Sequence, residues 1–282
     1  MVDKTAVRRY TAVRSRALLA ACELLIERGP LIKLLALREI RDRYVGSMLG
    51  TAWSVLQPLL LMLVLITIFG HVFGVRRAAA TADDFDFVAY MIAGYVPWLM
   101  TGAALQSAAG VIRANSGLVK QISFPVAVLP AKTVFAQAPM LLVGLAVFLL
   151  YMAVAGTGIS PLVIFLPGLV VIHAVLLLGL AWAIAALGAY FRDLDPILSN
   201  LLMLNVFLLP IFIPPGAAPA ILAPVISYNP FTPLIAAYQD VLVFGVVRSP
   251  TSMLLLAGLA LAAFTGGYAF FRRVQTGFGD LV

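Results

Sequence analysis

The chain changes from a charged to an apolar pattern near residue 45. Five charged side chains lie from Arg38 to Arg43, and the next charge along the chain is Arg76. Runs of this length are typical of helices that cross a bilayer, because a spanning helix needs about 20 apolar residues. The pattern predicts an all-α membrane domain over 51–273, with six transmembrane helices over residues 51–73, 86–112, 126–153, 161–190, 196–213 and 251–271.

Two regions outside these spans have patterns of their own. Residues 6–28 place apolar side chains on one arc of a helix and most charges on the other, and Gly29-Pro30 follows. This predicts an amphipathic helix in the cytoplasmic membrane interface. Residues 214–247 are apolar but hold six prolines, which interrupt a continuous helix. We expect two short re-entrant helices that enter the membrane from outside, either as a cap on the bundle or as a gate.

The composition agrees with a membrane protein of several spans. Hydrophobic residues make up 63% of the 282 residues and charged residues 11%, against about half and a quarter in a soluble domain. No cleavable signal sequence is expected, because the first fifty residues mix Arg, Lys and Glu. The single cysteine, Cys22, excludes an intramolecular disulfide and a cysteine-based metal site.

The basic residues predict the orientation in the membrane. Sixteen of the 19 lysines and arginines share one side if the N-terminus is cytoplasmic, and only Arg76, Arg77 and Arg248 fall on the other. Positive charge is retained on the cytoplasmic side. We therefore expect a multi-pass protein of the bacterial cytoplasmic (inner) membrane, with a cytoplasmic arm over 1–50 and a cytoplasmic tail over 274–282. The net charge of +7 is then explained by the basic residues on the cytoplasmic side, and no nucleic-acid partner is expected.

The chain contains no motif that would supply energy for transport. It lacks the phosphate-binding pattern G-x-x-x-x-G-K-[ST], and the centres of the predicted spans carry no charge of the kind that ion-coupled carriers bury. The two histidines, His71 and His173, have no metal-site spacing. These features predict a transport pathway and not an enzyme, with no cofactor or metal of its own, whose energy comes from a separate partner.

The arginines before the first span are candidates for binding substrate. Arg38, Arg41 and Arg43 could hold a phosphate-bearing substrate, because a guanidinium pairs with phosphate through two parallel hydrogen bonds. The alternative is simple anchoring to anionic lipid headgroups. Trp53 follows at the border and is expected at headgroup depth, where an amphipathic ring is favoured.

Five stretches then follow one another in a specific order. They are "LALREIRDRYVGSMLGTAWSVLQPLLLMLV" (35–64), "NSGLVKQISFPVAVLPAK" (115–132), "FRDLDPIL" (191–198), "YNPFTPLI" (228–235) and "FFRRVQTGFGDLV" (270–282). Together they resemble the transmembrane subunit of polysaccharide ABC exporters, the Wzm-like type 2 ABC permease family. Asp42 departs from the opening pattern of that family.

The resemblance implies how the protein assembles and where it couples to ATP. The family works as a homodimer with two copies of a separate nucleotide-binding subunit, which binds ATP and Mg²⁺. That subunit docks on a short coupling helix, here Arg113–Ser123, with Asn115 or Ser116 as a cap and with Lys120 and Gln121 along it. The alternative for this segment is a basic turn without that role.

The resemblance also implies a cargo and a pathway. The cargo is an undecaprenyl-diphosphate-linked glycan, which enters near the first span, where its diphosphate would meet the three arginines. The first and fifth segments line the channel. Because sugar faces stack on aromatic rings, some of the lining is expected to be aromatic, although each ring could instead face lipid or the core. The lining candidates are Tyr44, Trp53, Gln57, Phe69, Phe73, Tyr95, Trp98, Asn200, Asn205, Phe207, Phe212, Tyr228 and Phe231.

Three functions remain open on the sequence. The first is the export of O-antigen, capsule, teichoic acid or another wall glycan, among which the sequence does not choose. The second is a type 2 ABC permease for drugs or lipids, which would need no aromatic lining. The third is a channel or scaffold outside the ABC class, which predicts no nucleotide-binding partner.

Overall fold

The computed structural model describes residues 17–72, 85–121, 123–156, 158, 160–214 and 216–281. Every regular element within these residues is helical. The predicted helical residues 6–16 and the side chains of Phe73, Arg76 and Arg77 lie outside them. The helices are α1 (17–27), α2 (Gly29–Asp42), α3 (Trp53–Leu65), α4 (Phe87–Ala114), α5 (Ser116–Val119), α6 (Val128–Ala136), α7 (Ala138–Ala155), α8 (Leu166–Tyr190), α9 (Leu194–Asn205), α10 (Ala223–Tyr228), α11 (Thr232–Gln239), α12 (Pro250–Val274) and α13 (Phe278–Leu281).

Within the described residues, four helical stretches are long and apolar enough to cross a membrane. They are Phe87–Ala114, Val128–Ala155, Pro161–Tyr190 and Pro250–Gly277. They correspond to the second, third, fourth and sixth predicted spans, and they confirm an all-helical fold suited to a membrane. The first and fifth predicted spans are the shorter apolar helices Trp53–Phe69 and Leu194–Leu208. Six spans therefore stay a prediction.

Prolines set two boundaries differently from the prediction. The fifth span was predicted over 196–213, which is too long, because the helix and its closing 3₁₀ turn end at Leu208. Pro210 follows, and proline both lacks a backbone N–H and disfavours a helical residue before it. The third span divides at Gln137 into α6 and α7, with Pro139 in the first turn of α7.

Helix α8 packs against both α4 and α12, and glycines bring the backbones together. A Cβ added to Gly188 of α8 would lie 1.9 Å from the carbonyl oxygen of Ala109 in α4. A Cβ added to Gly267 of α12 would lie 1.9 Å from the carbonyl oxygen of Gly179 in α8. Small residues allow this approach between membrane helices, where packing rather than the hydrophobic effect drives association.

Hydrogen bonds at the helix ends fix the directions of the helices. The hydroxyl of Tyr151, near the end of α7, donates to Oδ2 of Asp86 at the start of α4 (2.8 Å), so these helices are antiparallel. The hydroxyl of Tyr190, at the end of α8, donates to the carbonyl oxygen of Val274 at the end of α12 (3.0 Å), so these are parallel. Both relations match the order of spans in the sequence.

The proline-rich region folds as two short helices, α10 and α11, as the sequence predicts. The amide of Gln239, at the end of α11, donates to the carbonyl oxygen of Pro210 (2.6 Å), and the hydroxyl of Tyr90 in α4 donates to the same oxygen (2.7 Å). After α11, buried Asp240 accepts hydrogen bonds from the backbone N–H (3.0 Å) and Nε (2.6 Å) of Arg248. The re-entrant position of these helices in the membrane stays a prediction.

Candidate functional site

An open cavity of about 920 Å³ lies at the end of the bundle that is predicted to be cytoplasmic. Its walls come from α2, the last turns of α4, the α5 turn, α6 and the start of α9. Candidate residues for binding substrate and for coupling to ATP, which are far apart in the sequence, therefore share one cavity. The polar side chains that line it are Arg38, Glu39, Asp42, Arg43, Gln106, Ser107, Asn115, Gln121, Lys132 and Asp195.

Glu39 is the centre of the polar contacts in this cavity. Its Oε1 accepts a hydrogen bond from Oγ of Ser107 (3.0 Å) and lies 3.7 Å from Nη2 of Arg43. Its Oε2 lies 3.3 Å from Nζ of Lys132, which also donates to Oδ1 of Asn115 (3.3 Å). The Glu39 and Lys132 side chains are only 18% and 10% exposed, so salt screens their attraction less than that of a surface pair.

The three candidate arginines have different surroundings. Arg43 donates from Nη1 to Oε1 of Gln137 (3.0 Å) and faces Glu39 with its other nitrogen. Arg38 is exposed, and its Nε lies 3.4 Å from a carboxylate oxygen of Asp42. Arg41 is also exposed but does not line the cavity. The structure thus brings Arg38 and Arg43 together and leaves Arg41 outside.

The charges of the described residues that line the cavity balance. Three cations, Arg38, Arg43 and Lys132, lie with three carboxylates, Glu39, Asp42 and Asp195. Each arginine already has a carboxylate beside it, but a guanidinium carries five N–H donors, so a phosphate would share the arginines with these carboxylates. The cavity offers hydrogen-bond donors and acceptors to a polar ligand and is not a strongly positive anion trap.

The predicted coupling segment contains one helical turn, α5. Asn115 occupies its N-cap position, as expected, but its side chain forms no capping hydrogen bond. The Asn115 amide has other partners: Nδ2 donates back to the carbonyl oxygen of Val111 (2.7 Å), and Oδ1 accepts from Lys132. The side chain therefore ties the turn to α4 and α6.

The other coupling candidates differ in exposure. Lys120 and Gln121 are exposed, whereas Arg113 and Ser116 are partly buried. Nη1 of Arg113 is buried and has no hydrogen-bond partner among the residues that the structure describes. The exposed end of the turn is therefore the part that is accessible to another subunit.

Six of the predicted lining residues meet in an aromatic cluster in the half of the bundle that is predicted to be extracytoplasmic. Phe212 is its centre, with the ring centroids of Phe69, Tyr95 and Phe207 each 6.1 Å from its own. Trp98 packs edge-on against Phe231 at 5.4 Å, and both rings contact the same apolar core as Phe212. Trp98 is 4% exposed and Phe207 60%, so the cluster runs from the core to the surface.

The remaining aromatic and amide candidates near the first span are separate from this cluster. Tyr44 and Gln57 line a small crevice beside Arg43 and Gln137. Trp53 is partly buried at the start of α3. Tyr44 and Gln57 therefore lie beside Arg43, apart from the rings around Phe212, so the candidates do not form one continuous row.

Three further lining candidates are the amides of Asn200 and Asn205, which form hydrogen bonds within the chain, and the ring of Tyr228, which is exposed. Nδ2 of Asn200 donates to the carbonyl oxygen of Pro196 one turn earlier (2.9 Å). Oδ1 of Asn205 accepts from Nδ2 of Asn229 (2.7 Å), which joins the end of α9 to the α10–α11 connection. Tyr228 is 89% exposed. The first two amides therefore already take part in structural hydrogen bonds.

Six polar residues of the cavity were not assigned to it from the sequence: Glu39, Asp42, Gln106, Ser107, Lys132 and Asp195. Nε2 of Gln106 donates to the backbone oxygen of Asp195 (3.1 Å) and to its carboxylate, which links α4 to α9. For Lys132 a signal was available, because it is the only charge in the run "PVAVLPAKTVFAQAP" and lies inside the predicted third span. Charged side chains within spans are usually paired. For Glu39, which lies among arginines, the sequence contained no such signal.

A buried polar trio joins three helices in the interior. The ring of His173 in α8 shares hydrogen bonds with Oγ1 of Thr101 in α4 (2.9 Å) and with the hydroxyl of Tyr238 in α11 (3.2 Å). All three side chains are buried. Across the described part of the chain, no three His, Cys, Asp or Glu side chains are grouped to hold a metal. The trio therefore fixes α11 to the bundle.

Comparisons with known proteins match almost the whole chain. The family described as ABC-2 type transporter matches residues 30–243, which include every residue named as lining the cavity. The O-antigen export system permease protein RfbA of Myxococcus xanthus is 28% identical over 262 residues, 92% of this chain and 98% of the relative. A Klebsiella pneumoniae protein of the same name is 24% identical over 249 residues (87% and 92%). The polysialic acid transport protein KpsM of Escherichia coli is 26% identical over 250 residues (86% and 92%).

Proposed function

The chain belongs to the ABC-2 type transporter family, and from that premise we propose that it is the permease subunit of an ATP-driven polysaccharide exporter. The observation that carries the proposal is the match over nearly the full chain with relatives named as O-antigen export permeases. The cargo is a glycan on an undecaprenyl diphosphate, which moves from the cytoplasm across the inner membrane. O-antigen is the first candidate.

A capsular glycan is the second candidate. Two further relatives, each 26% identical over 250 residues, are named polysialic acid transport proteins. The balanced charges of the cavity favour neither neutral nor acidic sugars, so they are compatible with both cargoes. Teichoic acid or another wall glycan would use the same features. A drug or lipid permease would have no need of the aromatic cluster around Phe212 as a stacking surface for sugars.

We assign the cavity as the place where the substrate leaves the cytoplasm. Its arginines lie where α2 meets the bundle, and the diphosphate would share the guanidinium groups of Arg38 and Arg43 with Asp42 and Glu39. Amide and hydroxyl groups such as those of Gln121 and Ser107 are suited to sugar hydroxyls. Arg41, outside the cavity, is better placed to contact lipid headgroups.

The outer part of the pathway is assigned to the aromatic cluster around Phe212. Helix α9 buries none of its side chains, and α3 buries only Pro58 and Met62. Both helices therefore have apolar faces that need cover, from lipid, from a second copy of the chain or from cargo. In a homodimer of six-span subunits these two helices line the channel, and the re-entrant helices α10 and α11 close its outer end.

Energy comes from two copies of a separate nucleotide-binding subunit, which holds ATP and Mg²⁺. This assignment is supported by the family and by the missing phosphate-binding loop in this chain. The α5 turn is the docking point, because Lys120 and Gln121 are exposed there beside the cavity.

The test is to purify the chain alone and together with the ATPase subunit encoded beside it. We expect no ATP hydrolysis by the chain alone and hydrolysis by a 2:2 complex. Lys120→Gln should weaken this complex about tenfold or more, whereas Lys33→Gln, which removes the same charge from another exposed position, should not. A strain without this chain should retain its lipid-linked glycan inside the cell. The absence of any complex, or unchanged surface glycan, would refute the proposal.

A further inference from the structure

Lys132 connects two parts of the chain to which the proposed function gives different tasks. Its ammonium lies 3.3 Å from Oε2 of Glu39 in α2 and 3.3 Å from Oδ1 of Asn115, where α5 begins. We propose that Lys132 is a positioning residue, which transmits movement of the α5 turn to Glu39 and so controls how strongly Arg43 is neutralised. This inference rests on the proposed function, because it takes α5 as the docking point of the ATPase subunit.

The first link is between α5 and Asn115. The carbonyl oxygen of Asn115 accepts hydrogen bonds from the backbone N–H groups of Leu118 (2.9 Å) and Val119 (3.1 Å), which are the bonds that form the turn. The side chain of the same residue accepts from Lys132. A displacement of the turn therefore moves the oxygen that holds the lysine.

The second link is between Lys132 and the base of its own helix. Nε1 of Trp182 in α8 donates to the carbonyl oxygen of Ala127 (2.9 Å), directly before α6 begins. Helix α6 also packs against α2, α4 and α8. The backbone of Lys132 is thus held by the bundle. Its side chain carries a compact charge on a flexible four-carbon stem, so the side chain is the part that can move at this site.

The third link is the carboxylate that Lys132 and Arg43 share. Oε2 of Glu39 faces the lysine at 3.3 Å, and Oε1 faces the arginine at the longer distance of 3.7 Å. If Asn115 moves away, the ammonium keeps one acceptor, so its pairing with Glu39 tightens. The carboxylate is then drawn from Arg43, whose guanidinium becomes available to a phosphate. Movement at the ATPase side would change substrate affinity at the arginine through this lysine.

Three variants separate this role from a structural one. Lys132→Met keeps most of the stem and removes the charge. Asn115→Ala removes the link between Lys132 and α5, together with the bond to Val111, and leaves the Lys132–Glu39 pair in place, so it serves if Lys132→Met fails to fold. Lys132→Arg keeps the charge and is the conservative control. Each variant is purified as the complex with the ATPase subunit and compared with the native complex.

The measurement is amide hydrogen exchange with and without a non-hydrolysable ATP analogue and Mg²⁺. In the native complex, nucleotide should change exchange in both α5 and α2. In Lys132→Met and Asn115→Ala, the nucleotide-dependent change in exchange should persist in α5, whereas the change in α2 should become at least fivefold smaller. The amount of glycan exported per ATP hydrolysed should fall about tenfold in both variants. Lys132→Arg should recover at least half of the α2 response.

Two results overturn the inference in different ways. An α2 response that is unchanged in both Lys132→Met and Asn115→Ala shows that the movement reaches α2 by another route, and it leaves the proposed function standing. The second result is that nucleotide does not change amide hydrogen exchange in α5 of the native complex, or that no complex forms. Either outcome removes the docking point itself and with it the proposed function.

Discussion

Replacing Gly267 by alanine should destabilise the bundle, whereas the same change at the adjacent Gly266 should not. A Cβ at Gly267 would lie 1.9 Å from the carbonyl oxygen of Gly179, whereas a Cβ at Gly266 meets nothing within 4 Å. Ordinary contacts of a Cβ begin at 3.4 Å, so α8 and α12 must separate by more than an ångström along their interface. Over-packing of this kind costs about 1–3 kcal/mol.

The comparison of neighbours isolates this clash. Both substitutions gain the same intrinsic helix propensity, about 1 kcal/mol for glycine to alanine, and this gain cancels in the difference. Thermal unfolding of the purified chain in one detergent should give a Tm for Gly267→Ala below that of Gly266→Ala, by roughly 2–4 °C per kcal/mol. Gly258→Ala, also in open space on α12, is a second control. Equal Tm values for Gly267→Ala and the two controls would refute the close approach of α8 and α12.

Three further predictions concern single contacts. Asp240→Asn removes the buried charge that pairs with Arg248 at 2.6 Å. The free energy of unfolding should fall by about 1–3 kcal/mol, and not by more, because Arg248 stays partly accessible to solvent. An unchanged midpoint in thermal or urea unfolding would contradict the pairing. Trp182→Phe keeps an aromatic ring but loses the bond to Ala127 (2.9 Å), and should lower stability by about 1–2 kcal/mol; no loss would show that the bond contributes nothing. Phe212→Leu keeps an apolar side chain and removes the stacking face, so glycan exported per folded complex should fall several-fold while ATP hydrolysis stays near its native value, and the loss of three ring contacts should lower Tm; unchanged export would remove this ring from the pathway.

The long helices could be predicted because their apolar runs exceed what any other element requires. The predicted spans 86–112, 161–190 and 251–271 agree within a few residues with Phe87–Ala114, Pro161–Tyr190 and Pro250–Val274. The predicted end of the fifth span is wrong, because the apolar run continues through Pro210 whereas the helix ends before it. Apolar content indicates burial in lipid or protein, but the backbone chemistry of one residue decides where a helix stops.

The cavity was harder to predict because its contacts join distant segments. Arg38 and Arg43 could be singled out by their charge, but their carboxylate partners lie within the same short helix and alter what those charges can bind. The pairing of Glu39 with Lys132 depends on α2 packing against α6, which no local pattern specifies. Asn115 does occupy the expected N-cap position, but its amide makes no capping bond because it contacts Lys132 and the last turn of α4 instead.

The balanced charges of the cavity also determine how long a cargo would stay there. A phosphate that reaches Arg38 or Arg43 shares the guanidinium with a carboxylate already beside it, so repulsion between the two anions keeps the net gain on binding small. A conducting site has to admit its cargo without retaining it. The residence time of each phosphate or sugar unit would therefore be short, and the pace at which one unit follows another would be set by the ATP cycle and not by slow release from this site.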